Sequence, residues 1–156
     1  SVVKHLLAAP DSIIAFFFFS SESGSRGDPF IVIRSWILQV ISRDQRAFEL
    51  ACSKCDPKTG QTATRTEILE LFQAIVTTLP RCTFVIDGLD ECAKSTESWT
   101  SHKDSSPLGL LKAIKKSIAH TATRVLIINR VDADIRSGFH FMADADHNIL
   151  LYEHAI

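Results

Sequence analysis

The stretch CTFVIDGLDEC, residues 82–92, decides the fold. Four apolar or β-branched residues, Thr83 to Ile86, run straight into Asp87; Gly88 breaks the pattern, and Asp90 and Glu91 follow at once. Carboxylates this close repel one another, so something cationic is expected nearby. In an α/β sheet, ligands sit outside the carboxyl ends of the strands, which makes Asp87 a carboxylate delivered to a site rim on a rigid support. A hard cation such as Mg²⁺ takes oxygen ligands, keeps several waters and is commonly held by one or two carboxylates together with substrate phosphates. Asp87 is therefore the candidate metal-binding residue. Gly88 lets the backbone turn tightly off the strand, and Asp90 and Glu91 are candidates to face a water attacking phosphorus. The same pattern also fits a strand that ends in an acidic surface turn.

Working outward, further apolar runs with β-branched and aromatic bias occur at Ile13 to Phe19, Val125 to Ile128 and Ile149 to Tyr152. All are nearly continuous, as expected of strands buried on both faces of a parallel sheet. The four phenylalanines 16–19 are expected in the core. Helical patterns separate the runs at 13–19, 82–86 and 125–128, and a short link is expected between the last two runs, 125–128 and 149–152. Asp28 and Pro29 suit an N-cap and first turn ahead of FIVIRSWILQVI. Thr64 and Glu67 have capping-box spacing, followed by Ile68, Phe72, Ile75 and Leu79 at helical intervals up to Pro80. Ser106 and Pro107 open another helix, with Leu110, Leu111, Ile114 and Ile118 on one side and Lys112, Lys115 and Lys116 towards its C-terminal end. Strands alternating with helices predict a doubly wound, mainly parallel α/β sheet. Loops are expected at 20–28, 55–64 and 93–106.

The bulk properties bound the function. The 156 residues suit one domain. A net charge of -1 gives no global field for nucleic acid or an anionic membrane. The longest apolar run, Ile13 to Phe19, is far short of the roughly 20 residues that cross a bilayer. The N-terminal SVVKHLLAAPDS does not read as a signal peptide, and a chain that does not open on Met reads as cut. Without an export signal, the cysteines at 52, 55, 82 and 92 are expected to be thiols in a reducing, cytoplasmic compartment.

FVIDGLDE resembles the Walker B segment of NACHT-type members of the STAND class of P-loop NTPases. SIIAFFFFSSESGSRGDPFIVIRSWILQVISRD resembles the second strand and following helix of NACHT proteins from filamentous fungi, the group often labelled nephrocystin-like. TRVLIINRVDADIRSGF resembles their next strand, which ordinarily ends in Ser-Arg-Pro-Glu and continues into an Asp-Ile-Arg helix, and NILLYEHAI resembles the strand after that. The resemblance implies that Asp87 and Gly88 belong to a nucleotide site and that Asp87 holds Mg²⁺ through water. It implies that Asp90 or Glu91 orients or deprotonates the attacking water, and that Arg130 reads the γ-phosphate of ATP. Asn129 and Val131 depart from the family pattern, which has Ser or Thr and then Pro.

The largest departure is that no G-x-x-x-x-G-K-[ST] loop occurs in the 156 residues. Such a loop supplies the N–H cradle, the lysine and the metal-binding hydroxyl. Without it, nucleotide binding is expected to be poor. Residues 1–9 look like later turns of the helix that follows such a loop, implying a partial domain. Loss of the strand before that helix, usually the central one, would expose the edges of its neighbours.

Other signals are weaker. Cys52 and Cys55 form a C-x-x-C, but Cys82 and Cys92 lie ten residues apart across a strand, which does not suit a zinc ribbon. The role of Cys52 and Cys55 stays open. The six histidines show no metal spacing on a helix, RGD at 26–28 is better used as the start of a helix cap, and Trp99 suits local packing. Two functions are expected to compete. One is the ATP/Mg²⁺-binding part of a STAND signalling switch, flanked by an N-terminal effector and C-terminal repeats, capable of self-association and linked to non-self recognition or cell death. The other is a non-catalytic interaction module that no longer binds nucleotide.

Overall fold

The computed structural model describes residues 12–20, 28–54, 62–79, 81–93, 106–130, 133–142 and 148–154. Strands β1 (Ile13–Phe18), β2 (Cys82–Asp87), β3 (Arg124–Arg130) and β4 (Ile149–His154) form one all-parallel sheet in the order β1-β2-β3-β4. Between β1 and β2 run α1 (Ile31–Ile41), α2 (Gln45–Lys54) and α3 (Arg65–Thr78). Helices α4 (Leu89–Ala93) and α5 (Pro107–Ile118) lead to β3, and α6 (Ala133–Met142) leads to β4. The expected α/β class is therefore present, and the expected short link between β3 and β4 contains a helix.

Every described crossover moves to the next strand in the same direction, so right-handed connections place the described helices on one face. Burial follows that geometry. From the strands, the core cluster takes Ala15, Phe19, Cys82, Phe84, Ile86, Val125 and Ile127, all of one parity. From the helices it takes Trp36, Phe72, Leu89, Leu110, Ile114 and Ile135. The opposite parity, Ile14, Phe16, Phe18, Thr83, Val85, Leu126, Ile128, Leu150 and Tyr152, faces away from this core. Leu150 and Tyr152 are 52% and 53% exposed. On this same face Ile14 is 3% exposed and Val85 is fully buried, so β1 and β2 are buried on both sides at these positions, as their continuous apolar runs predict, whereas β4 is not. The four phenylalanines are divided by the two-residue period of a strand. Phe17 and Phe19 pack towards the core in an edge-on pair 4.9 Å apart, whereas Phe16 and Phe18 take the other face.

Within the sheet, strands β2 and β3 pair directly, Val85 opposite Leu126 and Asp87 opposite Ile128. The outer edge of β1 is satisfied by side chains of α1. The Gln39 amide donates to the Phe16 carbonyl at 2.8 Å and accepts from the Phe16 N–H at 3.1 Å, and Arg43 donates to the Ile14 carbonyl. Such coverage blunts an edge that would otherwise template another strand.

The core centres on three aromatic rings. Trp36 of α1 lies 4.8 Å from Phe84 of β2 and 5.9 Å from Phe72 of α3, and Phe72 meets Phe84 at 5.2 Å. All three are fully buried, and aromatic pairs at such spacings add about 0.5–1.5 kcal/mol beyond area burial.

Helix termini follow their sequence signals unevenly. Helix α1 starts at Ile31 without a side-chain cap; Asp28 instead accepts from the Phe30 N–H at 3.0 Å in the preceding turn. Arg65 spans from that turn to α3, reaching Asp28 at 3.3 Å and lying 4.1 Å over the Phe30 ring. Ser106 caps α5 through Gly109, with Pro107 in the first turn. At α3 the capping box is complete. Glu67 accepts from the Thr64 N–H and hydroxyl, both at 2.7 Å, and the Thr64 hydroxyl accepts from the Glu67 N–H. These bonds hold the Glu67 carboxyl below its ordinary value. A lowered carboxylate value supports the fold above the unfolded value of about 4.5 and loses that support as pH falls. Thr64→Ala is expected to cost about 1 kcal/mol at neutral pH, measured by denaturant unfolding, with a smaller cost once the pH is low enough to protonate Glu67.

Candidate functional site

The carboxyl ends of β2 and β3 bring the sequence-predicted residues together. Asp87 ends β2 and Arg130 ends β3; Asp87 pairs in register with Ile128, two residues before Arg130, so the two share one face and one end of the sheet. That face is the one turned away from the helical layer. Asp87 is partly buried, and Arg130 has half of its side chain exposed.

Gly88 is the joint that makes this arrangement possible. Its φ is +77°, a conformation that L side chains rarely adopt, and a Cβ there would stand 2.8 Å from the Phe19 carbonyl oxygen. Its N–H donates to the Ile128 carbonyl at 2.9 Å, while the Asp87 carbonyl accepts from the Phe19 N–H at 2.8 Å. One turn thereby ties the ends of three strands. Immediately beyond it, α4 starts with Leu89 fully buried and the Glu91 N–H bonded to the Gly88 carbonyl.

The three acids do not gather into one set. Asp90 is only 3% exposed, whereas Glu91 turns to Arg130, with its Oε1 3.4 Å from Arg130 Nη1. Among the described residues no group of three or more His, Cys, Asp or Glu is placed to hold a metal ion. The cation demanded by the acidic run is thus supplied in part by the chain itself, through Arg130. An ion pair this exposed contributes at most about 1 kcal/mol, so it is readily exchanged. Asp87 offers one strand-end carboxylate, which fits a Mg²⁺ ion completed by water and phosphate oxygens rather than a closed protein cage.

Asn129 was not singled out as a functional residue by sequence reasoning. It is 1% exposed at the end of β3, on the helical face. Its Nδ2 donates to the Arg130 carbonyl at 2.6 Å, while its buried Oδ1 has no donor. A polar side chain in an otherwise apolar strand was the available signal. The next strand repeats the pattern: Glu153, in register with Asn129, bonds Arg136 of α6 through one oxygen and leaves the other unpaired. The Arg136 of the Asp-Ile-Arg stretch therefore fastens α6 to β4.

The cysteines divide by environment. Cys82 starts β2, at the opposite end from Asp87; its thiol donates to the Leu79 carbonyl, and burial, with the Asp44 carboxylate adding to it, pushes it up to about 11. It is a protonated core thiol. Cys52 is exposed and unbonded to sulfur. Cys55 and Trp99 lie outside the described residues, as do the Arg and Gly of the RGD string.

A family model described as Nephrocystin 3, N-terminal matches residues 1–130. No curated protein and no solved structure matches the chain.

Gly88→Ala is expected to destabilise the domain by about 1–3 kcal/mol, combining the strained φ with the Phe19 carbonyl clash; equilibrium unfolding measures it. The raised Cys82 value favours the folded state up to the ordinary value of 9.0, and that contribution is lost as pH rises from there to about 11. Stability is expected to fall across this window more steeply in the native chain than in Cys82→Ala. At pH 8, native Cys82 should alkylate at least about 100-fold more slowly than Cys52, since the thiolate is the reactive form.

Proposed function

The chain belongs to the nephrocystin 3 N-terminal family, and from that membership together with the pairing of Asp87 and Arg130 at one sheet end we propose that it is part of the nucleotide-binding domain of a NACHT-type, STAND-class signalling NTPase. The observation that carries the reading is a strand-end carboxylate two register positions from a strand-end guanidinium, on one face, joined by a turn that only glycine satisfies. In this reading the sheet is of the P-loop NTPase type and the acidic strand end is its Walker B segment. Asp87 would hold Mg²⁺ through water, and Gly88 would keep the backbone close to the ligand. Asp90 or Glu91 would position the attacking water. Arg130 would exchange Glu91 for the γ-phosphate, with which a guanidinium can form a bidentate pair. The bound metal would supply charge neutralisation between phosphate oxygens.

The proposed role is a cytoplasmic switch of the fungal type, in which ATP biases an open or self-associated state between an effector and a repeat sensor, in non-self recognition or cell death. No helix among the described residues is long and apolar enough to cross a membrane. A second reading, a non-catalytic interaction module, is favoured by one specific observation: the 156 residues contain no glycine-rich Lys-Ser/Thr loop.

Mg²⁺-dependent ATP binding and turnover, measured on the protein at its full natural length, separate the two. Asp87→Ala is expected to weaken Mg²⁺-dependent binding by at least about tenfold, or 1.4 kcal/mol. Arg130→Ala should leave binding within about threefold and slow turnover at least about tenfold. Equal binding and turnover in the native protein and Asp87→Ala overturns the metal assignment, and no binding by the native protein establishes the interaction module.

A further inference from the structure

Arg130 is held weakly at its tip. Half of its side chain is exposed, and its guanidinium meets Glu91 at 3.4 Å, a contact of little strength in water. The direction in which the arginine points must therefore be set by its backbone. That backbone is the end of a ladder: Arg130 and His154 stand opposite each other as the last residues of β3 and β4. Pairing with β4 holds the strand up to this residue, and beyond it the Arg130 carbonyl accepts from Asn129 Nδ2 at 2.6 Å. The ladder on one side and the Asn129 amide on the other leave the Cα–Cβ direction of Arg130 little freedom.

Stability alone does not account for an amide at this position. Asn129 is 1% exposed and lies in one row with Val125 and Ile127 of the core, and among the described residues no donor reaches its Oδ1. A buried acceptor without a partner is destabilising, and asparagine is depleted in strands, where β-branched residues are favoured. Valine would suit the row better on both counts. What the amide supplies, and valine cannot, is the N–H that reaches the Arg130 carbonyl. Its orientation is unambiguous, because turning the amide over would set Oδ1 against the carbonyl oxygen, acceptor against acceptor. We propose that Asn129 is a positioning residue, kept at the expense of stability to aim Arg130 from the backbone; its consequence for turnover rests on the reading of Arg130 as a phosphate sensor.

The test compares Asn129→Val with Asn129→Thr, two side chains of nearly one shape of which only threonine keeps a donor. Both are made in the protein at its full natural length, and the Arg130 Nε–Hε resonance, assigned through Arg130→Lys, is followed by ¹⁵N NMR. Asn129→Val is expected to unfold at the native denaturant midpoint or above it, to shift the Arg130 resonance and to lower its order parameter. Asn129→Thr should lie nearer the native signal. Where the native protein hydrolyses ATP, Asn129→Val should slow turnover at least about tenfold with binding within about threefold, and should add no further loss to Arg130→Ala. A measurement on the native protein stands beside these: a scalar coupling across the hydrogen bond from Asn129 Nδ2 to the Arg130 carbonyl carbon. Absence of that coupling overturns the proposal, as does an Arg130 resonance unchanged in Asn129→Val. A lower midpoint or failure to fold in Asn129→Val overturns it in favour of a structural amide, and a shifted resonance with native turnover overturns the positioning role. No nucleotide binding by the native protein overturns the sensor reading alone, since the Arg130 resonance still decides whether Asn129 sets its aim.

Discussion

The contact of Phe84 with Trp36 and Phe72 is the interaction on which the remaining structure hangs. It seats α1 and α3 on the second strand, and that strand is flanked on both sides in the sheet. Because Phe84 points to the helical side, Val85 must point to the other and Asp87 with it, since side chains alternate along a strand. The placement of the acidic strand end is therefore a consequence of where the aromatic core lies. A shift of one residue in the register of β2 would drive Asp87 into the helical core and turn Phe84 out of it.

The same economy governs the charges. Arg130 and Glu91 reach each other from the end of β3 and from α4, two elements brought together by the Gly88 turn. An exposed pair of this kind keeps a guanidinium available without fixing it firmly. On the proposed reading, that is what a phosphate sensor requires: a resting partner weak enough to be displaced and close enough to receive the arginine again.

Much of this was legible in the sequence, and the exceptions have physical causes. The four strands, the Thr64–Glu67 capping box and the Ser106–Pro107 helix start were visible because each depends on neighbours within a few residues. Asp87 and Gly88 at the end of β2 were visible for the same reason. The uneven cover of the second face was not, because an apolar strand reads alike whatever lies against that face. The division of the phenylalanines required that knowledge too. Within the site, Asp87 and Arg130 could be placed on separate strand ends, but the Glu91–Arg130 pair depends on the 39-residue path between them folding back. Asn129 was read only as a departure from a pattern, since its orphaned oxygen becomes apparent only once the strand is packed.

The Gln39 amide and Arg43 guanidinium have a consequence for growth of the sheet. By occupying the main-chain groups of Phe16 and Ile14, they make β1 a closed margin, whereas among the described residues no strand pairs with the far side of β4. A strand added from a neighbouring molecule would therefore have to displace these two side chains before it could pair with the phenylalanine run.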